Sequence, residues 1–202
     1  EACGGLVMND EIRVTIASQA CLLVLNLPND LYGRVNSILV YPTTIVTPGQ
    51  KSAVFEPQPG LHSGPMPILG QAQLRGPVIL VWDSVLSSAR LSRSGHNIVY
   101  HEFAHKLDMF SGRADGTPPL RSKEQLQNWI QICSREFLHL RKLTDSGKPT
   151  FLNSYGTVNE AEFFAVITEQ FFDQPEAMQK HHGDLYSLLS EFYRQDPAGT
   201  ES

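Results

Sequence analysis

The run Val99-Tyr100-His101-Glu102-Phe103-Ala104-His105 constrains this chain more than any other segment. It lies in a stretch that reads as helix, and Ile98, Phe103, Ala104 and Leu107 make that helix an apolar, largely buried one. Residues four apart on a helix share a face, so His101 and His105 aim two imidazoles the same way, with Glu102 beside them. Polar groups on a buried helix need partners or a metal ion. The pattern His-Glu-x-x-His matches a zinc site in which the histidines are ligands and the glutamate is the general base. The fold must then press a third ligand against this helix and leave a fourth position open.

The third ligand has to come from downstream. Positions 106 to 116 hold no histidine, which removes the short spacing that metzincins use. The remaining candidates are His139, His181, His182 and the acidic residues of the segment Asn159 to Glu169. In that segment Glu162, Ala165, Val166 and Glu169 share one helical face, and a small residue at Ala165 allows close approach of two helices. Glu162 is well placed on that face, and Glu160 is its rival on spacing alone. His96 and His62 read as surface residues.

The rest of the chain reads as strands followed by helices, an α+β pattern. A first helix is expected over Asn9 to Asn26, capped by Asn9, with Ile12, Ile16, Ala20 and Leu23 at helical spacing. Leu27 to Arg34 reads as a loop. Ser37 to Val46 reads as a strand interrupted at Pro42. Thr47 to Gly76, rich in Pro and Gly, reads as a long irregular loop with room for a short strand. Pro77 to Trp82 reads as a nearly continuous apolar strand, and it is the natural candidate to pair with an extended substrate. Asp83 to Gly95 reads as a polar link, and the His-Glu-x-x-His helix is expected to run to Phe110. Ser122 and Gln125 form a capping box for a long helix whose stripe is Leu126, Trp129, Ile130, Cys133, Phe137 and Leu140. Two more helices are expected over Asn159 to Phe172 and Asp184 to Tyr193.

The segments His101 to Asp108 and Asn159 to Val166, with Phe192-Tyr193-Arg194-Gln195-Asp196-Pro197 near the end, resemble the Mlc titration factor A family. Its members are bacterial zinc metallopeptidases of the gluzincin type. Gly76 to Leu80 and Arg13 to Leu27 are similar to that family as well, so the resemblance covers nearly the whole chain. Around Ser154-Tyr155-Gly156 and Asn159 to Phe164 the sequence is more distantly similar to the catalytic domain of anthrax lethal factor. The resemblance implies that Glu162 is the third ligand and that Tyr155 faces the carbonyl oxygen of the substrate. It also implies one departure. Val166 stands where the distant relative carries an acid, so support for the histidines must come from elsewhere, with Asp108 and Glu169 as candidates.

By the same resemblance the fold is a zincin-like (gluzincin) α+β domain, a small mixed sheet packed on the active-site helix with further helices after it. The resemblance also implies that residues 1–202 are a single zinc metallopeptidase domain, with a native N-terminal segment expected before Glu1. One Zn²⁺ ion is expected. The implied activity is aminopeptidase-like hydrolysis of peptides, with Glu102 as general base. A glucose-responsive transcriptional repressor is an implied protein partner. The alternative is a regulatory repressor-binding protein whose peptidase activity is minor.

Composition bears on partners and location. The chain has 202 residues, 41% hydrophobic, and a formal net charge of -5, with no basic surplus for nucleic acid or an anionic membrane. The longest apolar run, Ala20 to Leu25, is far short of the ~18–20 residues of a membrane helix. Three widely spaced cysteines, Cys3, Cys21 and Cys133, do not form a disulfide framework and fit a reducing, cytoplasmic setting. Cys21 and Cys133 are expected to be buried small residues.

Overall fold

The computed structural model describes residues 1–28, 30–43, 45–46, 67–68, 70–72, 76–90 and 94–199. Most of the Pro/Gly-rich stretch between positions 47 and 76 therefore lies outside the described residues.

The first helix, α1 (Asp10–Leu22), starts where Asn9 Oδ1 accepts the Ile12 N–H at 2.9 Å. Ile12, Ile16 and Ala20 are its buried face. It ends four residues earlier than expected. Beyond Leu22 the backbone changes to i→i−3 bonds, with Val24 donating to Cys21 and Leu27 to Val24. The chain thus tightens into turns while Leu23, Leu27 and Leu31 still point inward. Cys21 is exposed and Cys133 half-buried, so neither is the fully buried residue expected.

Strand β1 (Ile38–Tyr41) stops at Pro42, and β2 (Ile45–Val46) pairs antiparallel with β3 (Pro67–Ile68) in a separate two-stranded sheet. Proline removes a ladder donor, so the one strand expected over 37–46 divides in two. The main sheet adds β4 (Gly70–Ala72) and β5 (Val78–Val81) in the order β1-β5-β4. β5 runs parallel to β1, with Ile38 opposite Val78, and antiparallel to β4. Its central place explains the continuous apolar run and corrects the expectation that it pairs with substrate: both of its edges are already occupied. The free side of β1 is partly covered by residues Glu1 to Cys3, whose backbone bonds to Val40. Among the described residues, β4 is the other outer strand.

β5 continues directly into α2 (Trp82–Arg90), where a polar link was expected. Val85 on this helix is fully buried, with Trp82 and Leu86 half-buried beside it, and its three serines hide it among polar residues in the sequence. Helix α3 (Ile98–Asp108) follows, capped by Asn97, whose Oδ1 accepts the N–H groups of Val99 and Tyr100, each at 3.1 Å. A 3₁₀ turn, Met109–Ser111, carries it just past the expected end at Phe110. Helix α4 (Lys123–Asp145) opens on Ser122, whose hydroxyl accepts the Gln125 N–H. Gln125 Oε1 reaches back to the Arg121 N–H, one residue before the cap. The stripe on α4 is narrower than expected: Trp129, Phe137 and Leu140 are buried, whereas Leu126 and Ile130 are exposed.

A second 3₁₀ turn, Ser154–Thr157, leads into α5 (Glu160–Asp173), on which every residue from Ala161 to Phe171 is buried. A helix buried all round lies inside the molecule. The short α6 (Pro175–His181), not expected from the sequence, starts with Pro175 in its first turn and anchors Met178, and α7 (Gly183–Tyr193) turns Leu185, Leu188, Leu189 and Phe192 inward. α3 packs chiefly on α5 and also meets α1, β4 and β5, so one hydrophobic cluster spans sheet and helices. Among the described residues, no helix is long and apolar enough to cross a membrane.

Candidate metal centre

α3 and α5 bring the predicted donors together. His101 lies in the first turn of α3, so the Asn97 cap sets the pitch at which its ring leaves the helix. Asn159 Oδ1 accepts the Glu162 N–H at 2.9 Å and places the carboxylate in the first turn of α5. The His101 and His105 Nε2 atoms are 3.2 Å apart. Glu162 Oε2 is 3.0 Å from His101 Nε2 and 3.5 Å from His105 Nε2. One ligand atom from each of the three residues lies within 4.8 Å of the others, the only such group among the described residues.

Electrostatics show how this cluster holds together. Burial alone would raise the Glu162 carboxyl, but hydrogen bonds from His101 and His105 outweigh it and hold the group down at about 2. His101 is opposed by burial, yet Glu162 and Glu169 raise its pKa well above the ordinary histidine value. Burial, with help from Glu162 and Glu169 and against His101, pushes Glu102 up to about 8. Glu102 Oε2 and Glu162 Oε1 are buried with no hydrogen-bond partner among the described residues. Buried polar atoms normally find one, so two orphaned carboxylate oxygens facing a pair of imidazoles fit a cation. Two imidazole nitrogens and one carboxylate oxygen are a donor set for zinc with one position left open.

The outer support comes from one of the two candidates. Glu169 Oε1 sits 2.8 Å from His101 Nδ1, and its Oε2 accepts the Asn97 N–H at 2.6 Å. Glu169 therefore braces both the ring and the cap of α3. It lies seven residues, two helical turns, after Glu162 on the same face of α5. Asp108 binds the chain that follows α3. Its carboxylate accepts the N–H groups of Gly116 and Thr117 at 3.0 and 2.9 Å and pins the loop beyond α3. At the position lacking an acid, Val166 lies under Gly156, where an added Cβ would meet the Val166 Cβ at 3.4 Å.

Tyr155, in the turn between α4 and α5, lies over this cluster with its ring 6.0 Å from that of His101 and is 44% exposed. Asn153 Oδ1 holds the turn by accepting the Tyr155 N–H at 2.9 Å. Burial and the charges of Glu162, Glu102 and Glu169 raise the phenol above its ordinary value, so it stays protonated. Glu160 is exposed, as are His139 and His181, and none of them joins the cluster. His182, expected to be solvated, is half-buried with its Nδ1 3.0 Å from Glu136 Oε2.

Sequence reasoning passed over Lys106. It is buried, its Nζ donates to the Gly76 carbonyl at 2.8 Å, and it ties the start of β5 to α3. Its place one turn after Glu102 was visible as i,i+4 spacing, but its partner is a backbone group and leaves no sequence signal.

A buried His-Glu-x-x-His helix faced by a glutamate from a second helix has the donor arrangement of a metallopeptidase. The chain belongs to the family of glucose-regulated metallo-peptidases M90, whose model matches residues 1–194. It is 36% identical over 200 residues to an uncharacterized protein of Synechocystis sp., an alignment covering 96% of this chain and 70% of the other. It is 34% identical over 197 residues to Mlc titration factor A of Serratia proteamaculans, covering 96% of this chain and 72% of the relative. Against Mlc titration factor A of Edwardsiella ictaluri it is 35% identical over 202 residues, covering 95% and 75%.

Proposed function

We propose that the chain is a zinc-dependent peptidase of the gluzincin type, with His101, His105 and Glu162 as ligands and an aminopeptidase-like preference for short substrates. The observation that carries this reading is the approach of those three ligand atoms to within 4.8 Å beside the orphaned Glu102 oxygen. Zinc, when bound, would acidify a water molecule and polarise the scissile carbonyl. Glu102 takes the proton from the attacking water and delivers it to the leaving amine. The Tyr155 hydroxyl donates a hydrogen bond to the oxyanion that develops on the carbonyl. β4, an outer strand of the main sheet next to α3, offers an edge for an extended peptide. A single metallopeptidase domain in a cytoplasmic setting suits this reading.

Hydrolysis of an amino-acid anilide series tests it. Glu102→Gln should keep zinc, as metal analysis would show, and lose at least about a hundredfold in kcat. Undiminished hydrolysis by a zinc-loaded Glu102→Gln protein would sink the assignment.

A second reading draws on the relatives named Mlc titration factor A: a regulator that binds a glucose-responsive transcriptional repressor. His101→Ala separates the two. If the zinc-free variant still binds the repressor while hydrolysis is lost, the regulatory role is independent of the metal centre.

A further inference from the structure

The turn that carries Tyr155 packs on α4 and α5, and it closes on itself. The Gly156 N–H donates to the Asn153 carbonyl at 3.0 Å, and the Val158 N–H to the Tyr155 carbonyl at 3.1 Å. Neither bond places the turn relative to α3, which carries both histidines of the metal centre. The Asn153 side chain makes that link. Its Oδ1 accepts the Tyr155 N–H at 2.9 Å, and its Nδ2 lies 3.2 Å from Nδ1 of His96, two residues before α3.

Hydrogen-bond chemistry fixes the sense of the contact. With Oδ1 committed to an N–H donor, the other amide atom is the NH₂ group, which only donates. His96 Nδ1 is therefore the acceptor, and the ring is neutral with its proton on Nε2. The backbone on either side of His96 is braced by α5. The Gly95 N–H donates to Asp173 Oδ2 at 2.9 Å, the Gly95 carbonyl accepts Gln170 Nε2 at 3.2 Å, and the Asn97 N–H donates to Glu169 Oε2 at 2.6 Å. The His96 N–H itself meets Ser94 Oγ at 3.2 Å. Asn97 in turn caps α3 and so sets the direction of the His101 ring. His96 is thus a fixed point next to that cap, and the Asn153 amide ties the Tyr155 turn to it. An exposed hydrogen bond adds little to stability, but it fixes direction, and a misplacement of about 1 Å in an active site can cost about a hundredfold in rate.

We propose that His96 is a positioning residue for Tyr155: its Nδ1 accepts the Asn153 amide and holds the turn where the phenol overlooks the metal centre. Its value to catalysis rests on the peptidase reading above; the tether itself does not.

The test uses the zinc-loaded full chain. Long-range ¹H–¹⁵N NMR at about pH 8, where an ordinary histidine is neutral, should show His96 with its proton on Nε2 and a bare, hydrogen-bonded Nδ1. A proton on Nδ1 overturns the proposal. His96→Phe removes the acceptor from an exposed position with little packing to lose. Exchange of the Tyr155 amide with water should then quicken about fivefold, the loosening expected from one lost hydrogen bond. An unchanged exchange rate overturns the proposal. With an amino-acid anilide as substrate, the same variant should lower kcat about five- to tenfold and leave KM unchanged, because the Tyr155 hydroxyl acts on the transition state. In a Tyr155→Phe background it should lower kcat no further. An equal loss in both backgrounds overturns the proposal, since His96 would then act on something other than Tyr155. If the zinc-loaded native chain hydrolyses nothing, the peptidase reading fails, and the tautomer and the exchange rate still decide the tether.

Discussion

Glu169 joins three parts of the site through two carboxylate oxygens. One meets His101 Nδ1, the other the backbone of Asn97, and the residue itself sits two turns beyond Glu162. A carboxylate behind a ligating imidazole fixes its tautomer and orientation. Glu169→Ala should therefore weaken zinc binding about 10- to 100-fold in a chelator competition, with His101 still present. An unchanged zinc affinity would remove Glu169 from the site. Asp108 gives a contrasting case. It is fully buried, and burial raises its carboxyl from 3.8 to about 6 against the pull of the Gly116 and Thr117 N–H groups. Between those two values the folded protein holds a proton that the unfolded chain has lost. This group's contribution to stability therefore falls as pH rises from about 4 to 6, by up to about 3 kcal/mol. Asp108→Asn has no such titration. Urea midpoints of the two proteins at pH 4 and pH 6.5 should show a steeper decline in the native chain, and parallel slopes would refute the assignment.

At the scale of elements, the same device recurs. Asn9, Asn97 and Asn159 each cap the helix that follows, and Asn153 caps the turn that carries Tyr155. The caps of α3 and α5 set the first-turn positions of His101 and Glu162, so they bear on metal geometry as well as stability. Asn159→Ala should cost about 1 kcal/mol in unfolding free energy and also weaken zinc binding, because the Glu162 N–H loses its acceptor. Calorimetry and zinc titration on one sample would read both effects. The loop after α3 depends on Gly116. Its φ is +75°, and a Cβ there would lie 2.4 Å from the Glu160 carbonyl oxygen. Asp108, Trp129 and the start of α5 converge on this glycine. Gly116→Ala should destabilise the fold by at least about 2 kcal/mol, combining left-handed strain with a backbone clash. A denaturation midpoint close to the parent's would contradict that packing.

Across the whole molecule, the metal centre is where two buried helices from distant parts of the chain meet, so metal and fold are linked. Zinc at a hundred times its Kd should add about 2.7 kcal/mol to the unfolding free energy. Glu162→Ala should lose that increment, as thermal scans with and without a chelator would show. The helices with strong caps and periods were legible from sequence: α3, α5 and α7 lie within one or two residues of their expected starts. The shared face of His101, Glu102 and His105 could be read from i,i+4 spacing, and the resemblance pointed to Glu162, whose carboxylate the fold brings beside both rings. What escaped was non-local. α2 was missed because its nine residues include three serines, which favour turns and caps, and α6 because it is seven residues long. The order β1-β5-β4 was missed because strand order is a matter of pairing between segments, which an apolar run does not encode. Glu169, Lys106 and Gln170 are polar residues whose partners lie far along the chain. Local spacing, a property of consecutive residues on one helix, was enough to put two imidazoles and a carboxylate on one short buried stretch. Which acid braces His101 and which strand lies at the centre of the sheet were settled by packing, because each depends on distances between segments separated by tens of residues.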